Sequence, residues 1–492
     1  LLVTSRARLN VSGERAVAVT PLDLPDPDEP AMPERLLASA AVRLFVERAQ
    51  AADAAFELSV ANAATVTAIC RRLDGLPLAI ELAAARSASL SPPVLLASLT
   101  ARLHVLSGGP RDAPARLRAM RDAIAWSDDL LTEAERRFFR RLALFAGGFT
   151  LAGAEAVAAD DANPVVDLVG SLVDKSLIYR LPSQAGGSLR FGMLEIIREY
   201  AHEGLAAHDD AAETRRRHAN YFLTLAEAAE ARRIDLSQID RLPLAADRDN
   251  FRAALRWLAE QGDVEPMLRL AGALWPLWLE QGGIGPGRIQ LAEYLALPDV
   301  RAPRQAWAKA ASVAGALAQA QGDHQQATAL SEQALAIARE RGDDRCAGMA
   351  MTTLGVIAMV DGDFARAEQT LEAGLASFRA AGDARAIWTL RHLGSVAFRQ
   401  RDLPKAARVA EEGLAMARAA GNGLDTARLL HTLGRVLAVQ GQCEQAIDLW
   451  REAIGLFQEA GDSWGVADAL VSLGRAAYER GDLDGAARLL GE

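Results

Sequence analysis

Residues 433–457 read LGRVLAVQGQCEQAIDLWREAIGLF, and this pattern occurs five times over residues 303–492. A glycine marks each copy, and successive glycines are 40, 39, 40 and 40 residues apart. An alanine follows each glycine by twelve residues, giving the pairs Gly315–Ala327, Gly355–Ala367, Gly394–Ala406, Gly434–Ala446 and Gly474–Ala486. A fixed period of this length is typical of helical repeats that stack on one another. The sequence therefore predicts an α-solenoid of about five units, the last one incomplete.

Each copy is predicted to contain two amphipathic helices joined by a short turn, and Gly-Asp stands at most of the turns. The repeated glycine falls in the middle of the first helix, where it costs about 1 kcal/mol relative to alanine. A cost that recurs at one position needs a local reason. We expect the glycine of the first helix and the alanine of the second to leave no bulk where the helix axes cross.

Residues 115–206 carry helical patterns followed by two β-like segments, SLIYR (176–180) and SLRFGM (188–193). The stretches FTLAGAEAVAA (149–159) and VVDLVGSLVDKSLI (165–178) predict two short helices before this hairpin. This order of elements, helices followed by a hairpin, is that of a winged helix.

The helix that would lie against DNA in such a domain, residues 164–177, contains Asp167 and Asp174 and only one basic residue, Lys175. A helix that contacts phosphates is expected to be basic. We therefore expect this winged helix to pack within the protein and to make no direct DNA contact, which remains the less favoured alternative.

Residues 69–86 read ICRRLDGLPLAIELAAAR, a helical pattern interrupted by Gly75 and Pro77. Proline suits the first turn of a helix and disrupts its interior. The pattern predicts that one helix ends near Leu73 and that a second begins near Pro77. A plain helical corner explains this break, and so does a corner that binds a nucleotide.

Composition excludes several classes of protein. The formal net charge of −10 argues against a chain-wide nucleic-acid surface. Three distant cysteines, Cys70, Cys346 and Cys443, fit neither a disulfide framework nor a zinc site. No apolar run reaches the ~18 residues of a membrane span. These features predict a cytoplasmic protein that does not enter membranes.

The repeat region resembles the tetratricopeptide repeat, and the whole chain resembles the bacterial STAND signalling ATPases, relatives of the NB-ARC proteins. The motifs that carry the second resemblance are LLVTSR (1–6), AVRLFVERA (41–49), ICRRLDGLPLAIELAAAR (69–86), FRRLALFAGGFTL (139–151), LVDKSLI (172–178) and FGMLEIIREYA (191–201). The resemblance implies a mostly α fold that begins with the remnant of an α/β nucleotide-binding domain. The implied parts are that remnant with a linker (1–34), a helical domain with GLPL (35–114), a winged helix (115–206), a helical connector (207–302) and the repeats (303–492).

The resemblance also implies where a nucleotide would bind. Arg6, at the end of a strand, would sense the terminal phosphate, and Gly75, Leu76, Pro77 and Leu78 would lie against the base and ribose. ATP or ADP with Mg²⁺ is therefore the implied cofactor of the intact protein. The sequence contains no glycine-rich phosphate loop, because none of its three lysines follows a glycine. We expect the missing parts to lie upstream, and this stretch to bind no nucleotide tightly and to catalyse nothing alone.

One motif departs from the resemblance. Some relatives have Met-His-Asp in the winged helix, where the histidine contacts the diphosphate, whereas this chain has Met193-Leu194-Glu195. Leucine makes no such contact, although Glu195 could hydrogen-bond nearby backbone. The contact that holds ADP is therefore absent or built differently.

If the first helices of the repeats line a concave face, that face carries arginines together with aromatic residues. The candidate ligand-face residues are Trp388, Arg391, Phe398, Arg428, His431, Arg435, Arg475 and Tyr478. Such a set suits an anionic or aromatic ligand. The alternative is that these residues form ordinary solvated helix faces.

Two functions fit the sequence. In the first, the chain is the C-terminal portion of a STAND-type regulator, and its repeats bind a protein, peptide or small-molecule inducer and bias an ADP/ATP switch. Transcription regulation and self-association on activation would follow. In the second, the chain is an interaction scaffold that does not depend on nucleotide. No Ser-His-Asp, Cys-His or metal-ligand spacing indicates an independent enzyme.

Overall fold

The computed structural model describes residues 15, 19–25, 32–99, 120–160, 163–182, 189–231, 243–279, 284–297 and 304–491. The described chain is mostly helical, as predicted, and contains one small sheet. It divides into two compact units, residues 1–221 and 222–492. The strand predicted within residues 1–6 lies outside the described residues.

The first part of unit 1 is a group of short helices around the predicted break. They are α1 (Pro33–Leu36), α2 (Ala40–Ala52), α3 (Val60–Arg72), α4 (Pro77–Ala84), a 3-10 helix (Ala85–Ala88) and α5 (Pro92–Leu99). At the start of α3, the Asn62 side chain accepts a hydrogen bond from the Ser59 N–H at 2.8 Å. Pro77 occupies the first turn of α4, so the prediction of two helices is confirmed. Fully buried Phe45, Ile69 and Ile80 belong to α2, α3 and α4.

The second part of unit 1 is the winged helix. Its elements are α6 (Met120–Asp128), α7 (Glu133–Leu142), β1 (Phe149–Thr150), α8 (Leu151–Ala158), α9 (Val165–Asp174), β2 (Tyr179–Arg180), β3 (Arg190–Gly192) and α10 (Glu195–Ala206). The predicted hairpin is confirmed, because β2 and β3 pair in antiparallel fashion. The assignment of residues 149–150 to a helix was wrong. Phe149 lies opposite Phe191 in a third strand, and Thr150 caps the helix that follows by accepting from the Gly153 N–H.

Lys175, the one basic residue of the predicted recognition helix, is engaged inside the domain. Its ammonium group lies 2.6 Å from a carboxylate oxygen of Glu135 on α7. The same glutamate forms a capping box with Thr132. The lysine thus ties the end of α9 to the start of α7.

A helical connector follows, and most of it belongs to unit 2. Its helices are α11 (Ala211–Ala231), α12 (Pro243–Ala246), α13 (Arg248–Gln261), α14 (Val264–Ala273), α15 (Trp275–Leu279) and α16 (Ile284–Leu295). A break at Leu274 separates α14 from α15. Pro276 has no N–H to continue the helix, which explains the break. Trp275 and Trp278 are buried, whereas Trp257 is only half-buried.

Five helix pairs form the repeat array. They are α17 (Arg304–Ala320) with α18 (His324–Arg341), α19 (Asp344–Val360) with α20 (Phe364–Ala380), α21 (Ala386–Arg399) with α22 (Leu403–Ala420), α23 (Gly423–Val439) with α24 (Cys443–Glu459), and α25 (Ser463–Glu479) with α26 (Leu483–Gly491). Helices α17, α18, α19 and α20 have 17 or 18 residues each. The extra length of the period therefore lies in both helices of a pair and not in the turns.

The repeated glycine is needed where a side chain of the second helix approaches it. A Cβ atom built on Gly355 would lie 2.6 Å from Leu371, and one on Gly434 would lie 2.5 Å from the Trp450 indole nitrogen. Both neighbours lie four residues after the repeated alanine. In three repeats the carbonyl of the repeated alanine lies 3.3–3.9 Å from such a Cβ, as the expected close crossing requires. The expectation that no bulk stands there holds only in part, because in these two repeats the glycine makes room for a large residue one turn further along.

The third repeat supports this explanation. The equivalent neighbour of Gly394 is Ala410, and a Cβ on this glycine would meet nothing closer than 3.6 Å. In the first repeat the facing residue is the small Ser331, and its hydroxyl would still lie 2.7 Å from a Cβ on Gly315, so the fit depends on how closely the facing side chain approaches and not on its size alone.

Successive first helices contact one another, as in the pairs α17–α19, α21–α23 and α23–α25. Second helices contact mainly the first helices beside them. The side on which successive helices lie closer is the inner side of a curved stack, so the first helices line the concave face, as the ligand-face prediction requires.

Within the described ranges, no helix is both long enough and apolar enough to cross a bilayer.

Replacing Gly434 with alanine tests the glycine seam. The added methyl group would push against Trp450, whose indole N–H donates to the His431 carbonyl at 3.1 Å. Overpacking costs about 1–3 kcal/mol, and the gain in helix propensity is about 1 kcal/mol. We expect the free energy of unfolding to fall by about 1 kcal/mol in urea denaturation followed by tryptophan fluorescence.

Gly455→Ala is the matched control, because Gly455 is an exposed residue of α24 with nothing within 4 Å of its added Cβ. It should gain about 1 kcal/mol of stability from helix propensity alone. A shift of both variants in the same direction would contradict the packing explanation.

Candidate functional site

The break between α3 and α4 is built from two residues with left-handed backbone. Asp74 has φ 51° and Gly75 has φ 66°. Aspartate tolerates this region better than most residues, and glycine adopts it freely. The Gly75 N–H donates to the Cys70 carbonyl at 3.2 Å, which ends α3. The turn thereby places the Asp74 carboxylate outside the helical domain's own core.

Gly75 allows two backbone segments to meet. The Leu22 N–H donates to the Gly75 carbonyl at 2.9 Å, and a Cβ at residue 75 would overlap the Leu22 carbonyl oxygen. Arg71 also holds this segment by donating to the Pro25 carbonyl at 2.7 Å. Glycine at position 75 is therefore required by a close approach of the Leu22 backbone.

Asp74 caps a helix of the winged domain. Leu194 occupies the N-cap position of α10 and has no side-chain acceptor for the first N–H groups of the helix. The Asp74 carboxylate accepts from the Glu195 N–H at 2.6 Å instead. A helix N-terminus favours negative charge, so this carboxylate replaces a local cap. The helical domain thus supplies the group that begins α10.

The Glu195 side chain joins the same contact. It accepts from Arg72 of α3 at 2.8 Å and from both ends of the Arg198 guanidinium fork at 2.6 and 2.8 Å. The suggestion that Glu195 hydrogen-bonds nearby backbone was wrong, since its carboxylate pairs with arginines. Burial acts to raise the pKa of Glu195, but Arg198 and Arg72 lower it overall. We call Arg72, Asp74, Glu195 and Arg198 the corner cluster.

The folded protein disfavours the ionised form of the Asp74 carboxyl group. Burial, and to a lesser extent the nearby Glu195 charge, raise its pKa to about 6, although the hydrogen bond from the Glu195 N–H and the Arg72 charge act to lower it. The Tyr179 hydroxyl also has a raised pKa, through burial and the Asp74 charge.

The predicted nucleotide-contact residues lie beside the corner cluster. Pro77 is exposed, and Leu76 and Leu78 are half-buried, so the start of α4 presents an apolar surface. Gly75 is buried beneath it. Arg6 lies outside the described residues, so its proposed place beside Pro77 stays a prediction.

On the concave face, the structure brings Arg391 and Arg428 near each other. Arg428 lies 3.1 Å from Asp462, whereas Arg391 donates only to the ring of His392 at 3.2 Å. Burial and the Arg428 charge lower the pKa of Arg391 to about 10. The pKa of His392 falls well below its usual value for the same reasons, so its ring is neutral at pH 7.

A second group of ligand-face residues lies on α21 and α23. The Arg435 guanidinium stands 4.4 Å from the centre of the Phe398 ring, a cation–π contact. His431 is buried and hydrogen-bonds the Ser472 hydroxyl at 2.9 Å. Its pKa is lowered by burial, although Asp468 acts to raise it.

Three predicted ligand-face residues do not join these groups. The Trp388 ring packs edge-on against Trp275 at 5.2 Å and belongs to the array's core. Arg475 is 80% exposed and pairs with Glu479 of its own helix. Tyr478 is 65% exposed.

A cavity of about 720 Å³ lies at the start of the array and escaped sequence analysis. It is lined by α11, α14, α17, α19 and the start of α21. Its charges largely pair within it, for example Arg269 with Glu227 at 2.8 Å and Lys309 with Glu230 at 2.5 Å. Its walls are polar without one dominant charge.

Sequence analysis also missed Arg72, Asp74 and His392. The first two contact Glu195, more than 120 residues away in the chain, so no local pattern reports them. An aspartate directly before the glycine that ends a helix is the one available signal.

Asp74→Asn tests whether the corner holds a carboxylate at a cost. Asparagine tolerates the same backbone and accepts the same hydrogen bond without a charge to bury. The rise of the Asp74 pKa from 3.8 to about 6 corresponds to about 3 kcal/mol at most. Since the folded state binds the proton more tightly, wild-type stability rises as the pH falls from 6 towards 4.

We therefore expect Asp74→Asn to stabilise unit 1 by about 1–3 kcal/mol at pH 7.5, with the difference shrinking towards pH 4. Urea unfolding at several pH values measures both effects. Asp167→Asn, at an exposed residue of α9, is the control. A destabilised or pH-independent Asp74→Asn variant would refute this description.

Two known families match this chain. Residues 131–206 match a winged helix-turn-helix domain, and residues 308–492 match a MalT-like TPR region. These ranges coincide with the winged helix and with the repeat array described above.

Longer proteins of mycobacteria are similar to it. A protein of Mycobacterium tuberculosis named as an HTH-type transcriptional regulator is 38% identical over 371 residues, which is 72% of this chain and 39% of that protein. A counterpart in Mycobacterium bovis has the same identity and coverage. The chain therefore spans about two fifths of the length of these relatives.

The fold is also similar to that of a solved STAND protein with a tetratricopeptide repeat sensor from Pyrococcus horikoshii. The TM-score is 0.50 at 15% identity, and the match covers 91% of this chain and 64% of the other. The two family matches and this shared fold lead to one conclusion: the chain has a winged helix-turn-helix domain followed by a MalT-like TPR region, in a fold similar to that of the STAND protein with its repeat sensor.

Proposed function

We propose that the chain is part of a signal-responsive regulator, in which ligand binding to the repeat array changes the contact between the helical domain and the winged helix. Transcription is the proposed regulated process, since the mycobacterial relatives are named as transcriptional regulators. A nucleotide bound near Pro77 is the proposed second input.

The observation that carries this proposal is the capping of α10 from another domain. The first N–H of α10 has its partner on Asp74, 121 residues earlier in the chain. Separating the two domains would break the hydrogen bond of this N–H and the ion pair between Glu195 and Arg72. Water would then be the only partner of these groups. The corner cluster therefore favours one arrangement of the domains over others by a defined set of bonds.

The bonds are of a strength suited to switching. Hydrogen bonds to charged groups contribute about 1.5–3 kcal/mol each. The four side chains of the corner cluster are half-buried, so each bond is expected to lie in this range. A ligand that prefers the open arrangement by a few kcal/mol would therefore overcome them. A weaker contact would not hold the closed state, and a stronger one would not release it.

The nucleotide part of the proposal rests on the STAND resemblance. In the intact protein, Arg6 would contact the terminal phosphate of ATP, and Leu76, Pro77 and Leu78 would form an apolar wall against the base. Pro77 suits that role because it is rigid and has no N–H to leave unpaired. When bound, the nucleotide with Mg²⁺ would bring the charges of its phosphates and of the metal ion to this stretch of chain.

The winged helix is proposed to act as a packing domain and not as the DNA reader. Its Lys175 is held by Glu135, and Asp167 and Asp174 give the helix a negative surface. Contact with DNA phosphates would oppose these charges.

The second candidate function is a scaffold that binds a protein or peptide without a nucleotide. The presence of Arg391, Arg428 and Arg435 on the first helices favours it, since tetratricopeptide arrays bind partners on that face. The two functions differ in whether the corner cluster responds to nucleotide.

Glu195→Ala in the full-length gene product distinguishes them. Removing this carboxylate deletes the ion pairs to Arg72 and Arg198, so the closed arrangement should lose stability. We expect a fluorescent ADP analogue to dissociate from the variant about 10–100 times faster than from wild type, the equivalent of losing about 1.5–3 kcal/mol.

Glu203→Ala is the matched control, because Glu203 lies on the same helix and pairs with Arg121 alone. Its release rate should stay within about twofold of wild type, as for a surface ion pair. If the full-length protein binds no nucleotide, the switch is ruled out and the scaffold function is the one that stands. Equal release rates for wild type and Glu195→Ala would show that the corner cluster does not affect nucleotide release.

The 492-residue chain on its own is proposed to have no ATPase activity, because it contains no glycine-lysine phosphate loop. Phosphate release above buffer background, measured with the purified chain and Mg·ATP, would contradict this expectation.

A further inference from the structure

Arg391 occupies an unusual electrostatic position in the array. Protein atoms surround its side chain on nearly every side, although water still reaches part of it. Its Nε–H is buried and has no hydrogen-bond partner. Among the described residues, no carboxylate lies within ion-pair distance of its guanidinium.

In the part of the chain that the structure describes, no group around Arg391 pairs with it directly as a counter-ion. His392 accepts from it but is uncharged, and Arg428 adds a second positive charge. Asp462 is engaged by Arg428 at 3.1 Å and by the Gly465 N–H at 3.0 Å.

Asp425 is the other carboxylate near enough to influence Arg391. One of its oxygens accepts from the Asn422 amide at 2.8 Å. The other is buried without a hydrogen-bond partner among the described residues and lies 4.0 Å from Arg428. Neither nearby carboxylate is within ion-pair distance of Arg391, so both act on it only from further away.

Two other arginines of the array illustrate the usual pairing. Arg385, on the turn before α21, binds Asp383 through both nitrogens of its fork at 2.7 and 2.9 Å. Arg418 pairs with Glu452 at 2.7 Å, although both are largely exposed. Arg391 is the more enclosed residue and yet has no such partner. A buried charge without a counter-ion is costly, so its presence needs a reason.

We propose that Arg391 is the binding site for an oxyanion, a carboxylate or phosphoryl group carried by the ligand of the concave face. This inference rests on the proposed ligand binding by the array and names the chemistry of one contact. The guanidinium fork would bind two oxygens of the anion, and Arg428 would contribute a second positive charge beside it. The anion would replace the counter-ion that the protein does not provide.

His392 supports this use of Arg391. Its ring accepts from one Arg391 nitrogen, so the guanidinium is oriented before a ligand arrives. Because the ring is neutral, it holds the arginine without cancelling its charge. An aspartate at this position would neutralise the site.

The test measures anion-dependent stability of the 492-residue chain. Unfolding of the array is followed by tryptophan fluorescence in sodium phosphate, in sodium acetate and in sodium chloride, all at one ionic strength. We expect phosphate or acetate at tens of millimolar to raise the midpoint by about 2–4 °C over chloride. A response to phosphate alone assigns a phosphoryl group, and a response to acetate assigns a carboxylate.

Arg391→Gln should abolish this rise, and Arg391→Lys should keep only part of it, since lysine lacks the fork. Arg475→Gln is the control, because it removes the same charge from an exposed residue of α25. In chloride, Arg391→Gln should be at least as stable as wild type, because it removes an uncompensated charge. Circular dichroism checks that each variant is folded.

Three results would overturn the inference. They are no anion response in the wild type, an equal response in Arg391→Gln and wild type, and a strong loss of stability of Arg391→Gln in chloride. The last would make Arg391 a structural residue. None of these results depends on nucleotide, so the inference can fail while the nucleotide switch stands, and the reverse also holds.

Discussion

One hydrogen bond, from the Glu195 N–H to the Asp74 carboxylate, joins the end of one helix to the beginning of another in a different domain. Every helix leaves its first N–H groups without partners in the helix itself, and most helices satisfy them locally. Here Leu194 offers no acceptor, so α10 has a satisfied start only while the helical domain is beside it. The relation between the two domains thus depends on a requirement of helix geometry.

The same principle, a requirement left open in one element and met by another, applies in the array. Gly434 has no side chain, and Trp450 of the second helix fills the space beside it. This packing fixes how the two helices cross. Arg391 leaves a charge without a counter-ion on the face that the first helices line. The first requirement is met within the chain, which gives a rigid frame. We propose that a ligand meets the second.

Regular and local features could be predicted from the sequence. The glycine period gave the array, and Pro77 marked the start of α4. The short strand at Phe149 was missed because a two-residue strand has no periodicity and forms only through pairing with β3. The corner cluster was missed because Asp74 and Glu195 meet only in the fold. Of the ligand face, Arg391 was predicted by position, whereas its lack of a partner required the structure.

The Glu195 amide offers the most direct test of the account. As the first N–H of α10 it has no partner within its own helix, so its protection from hydrogen exchange reports the bond to Asp74. The measurement is its exchange rate in the full-length protein, with ADP and with a non-hydrolysable ATP analogue. The account predicts strong protection with ADP and its loss with the analogue. Equal exchange rates in the two states would show that the corner does not move with nucleotide.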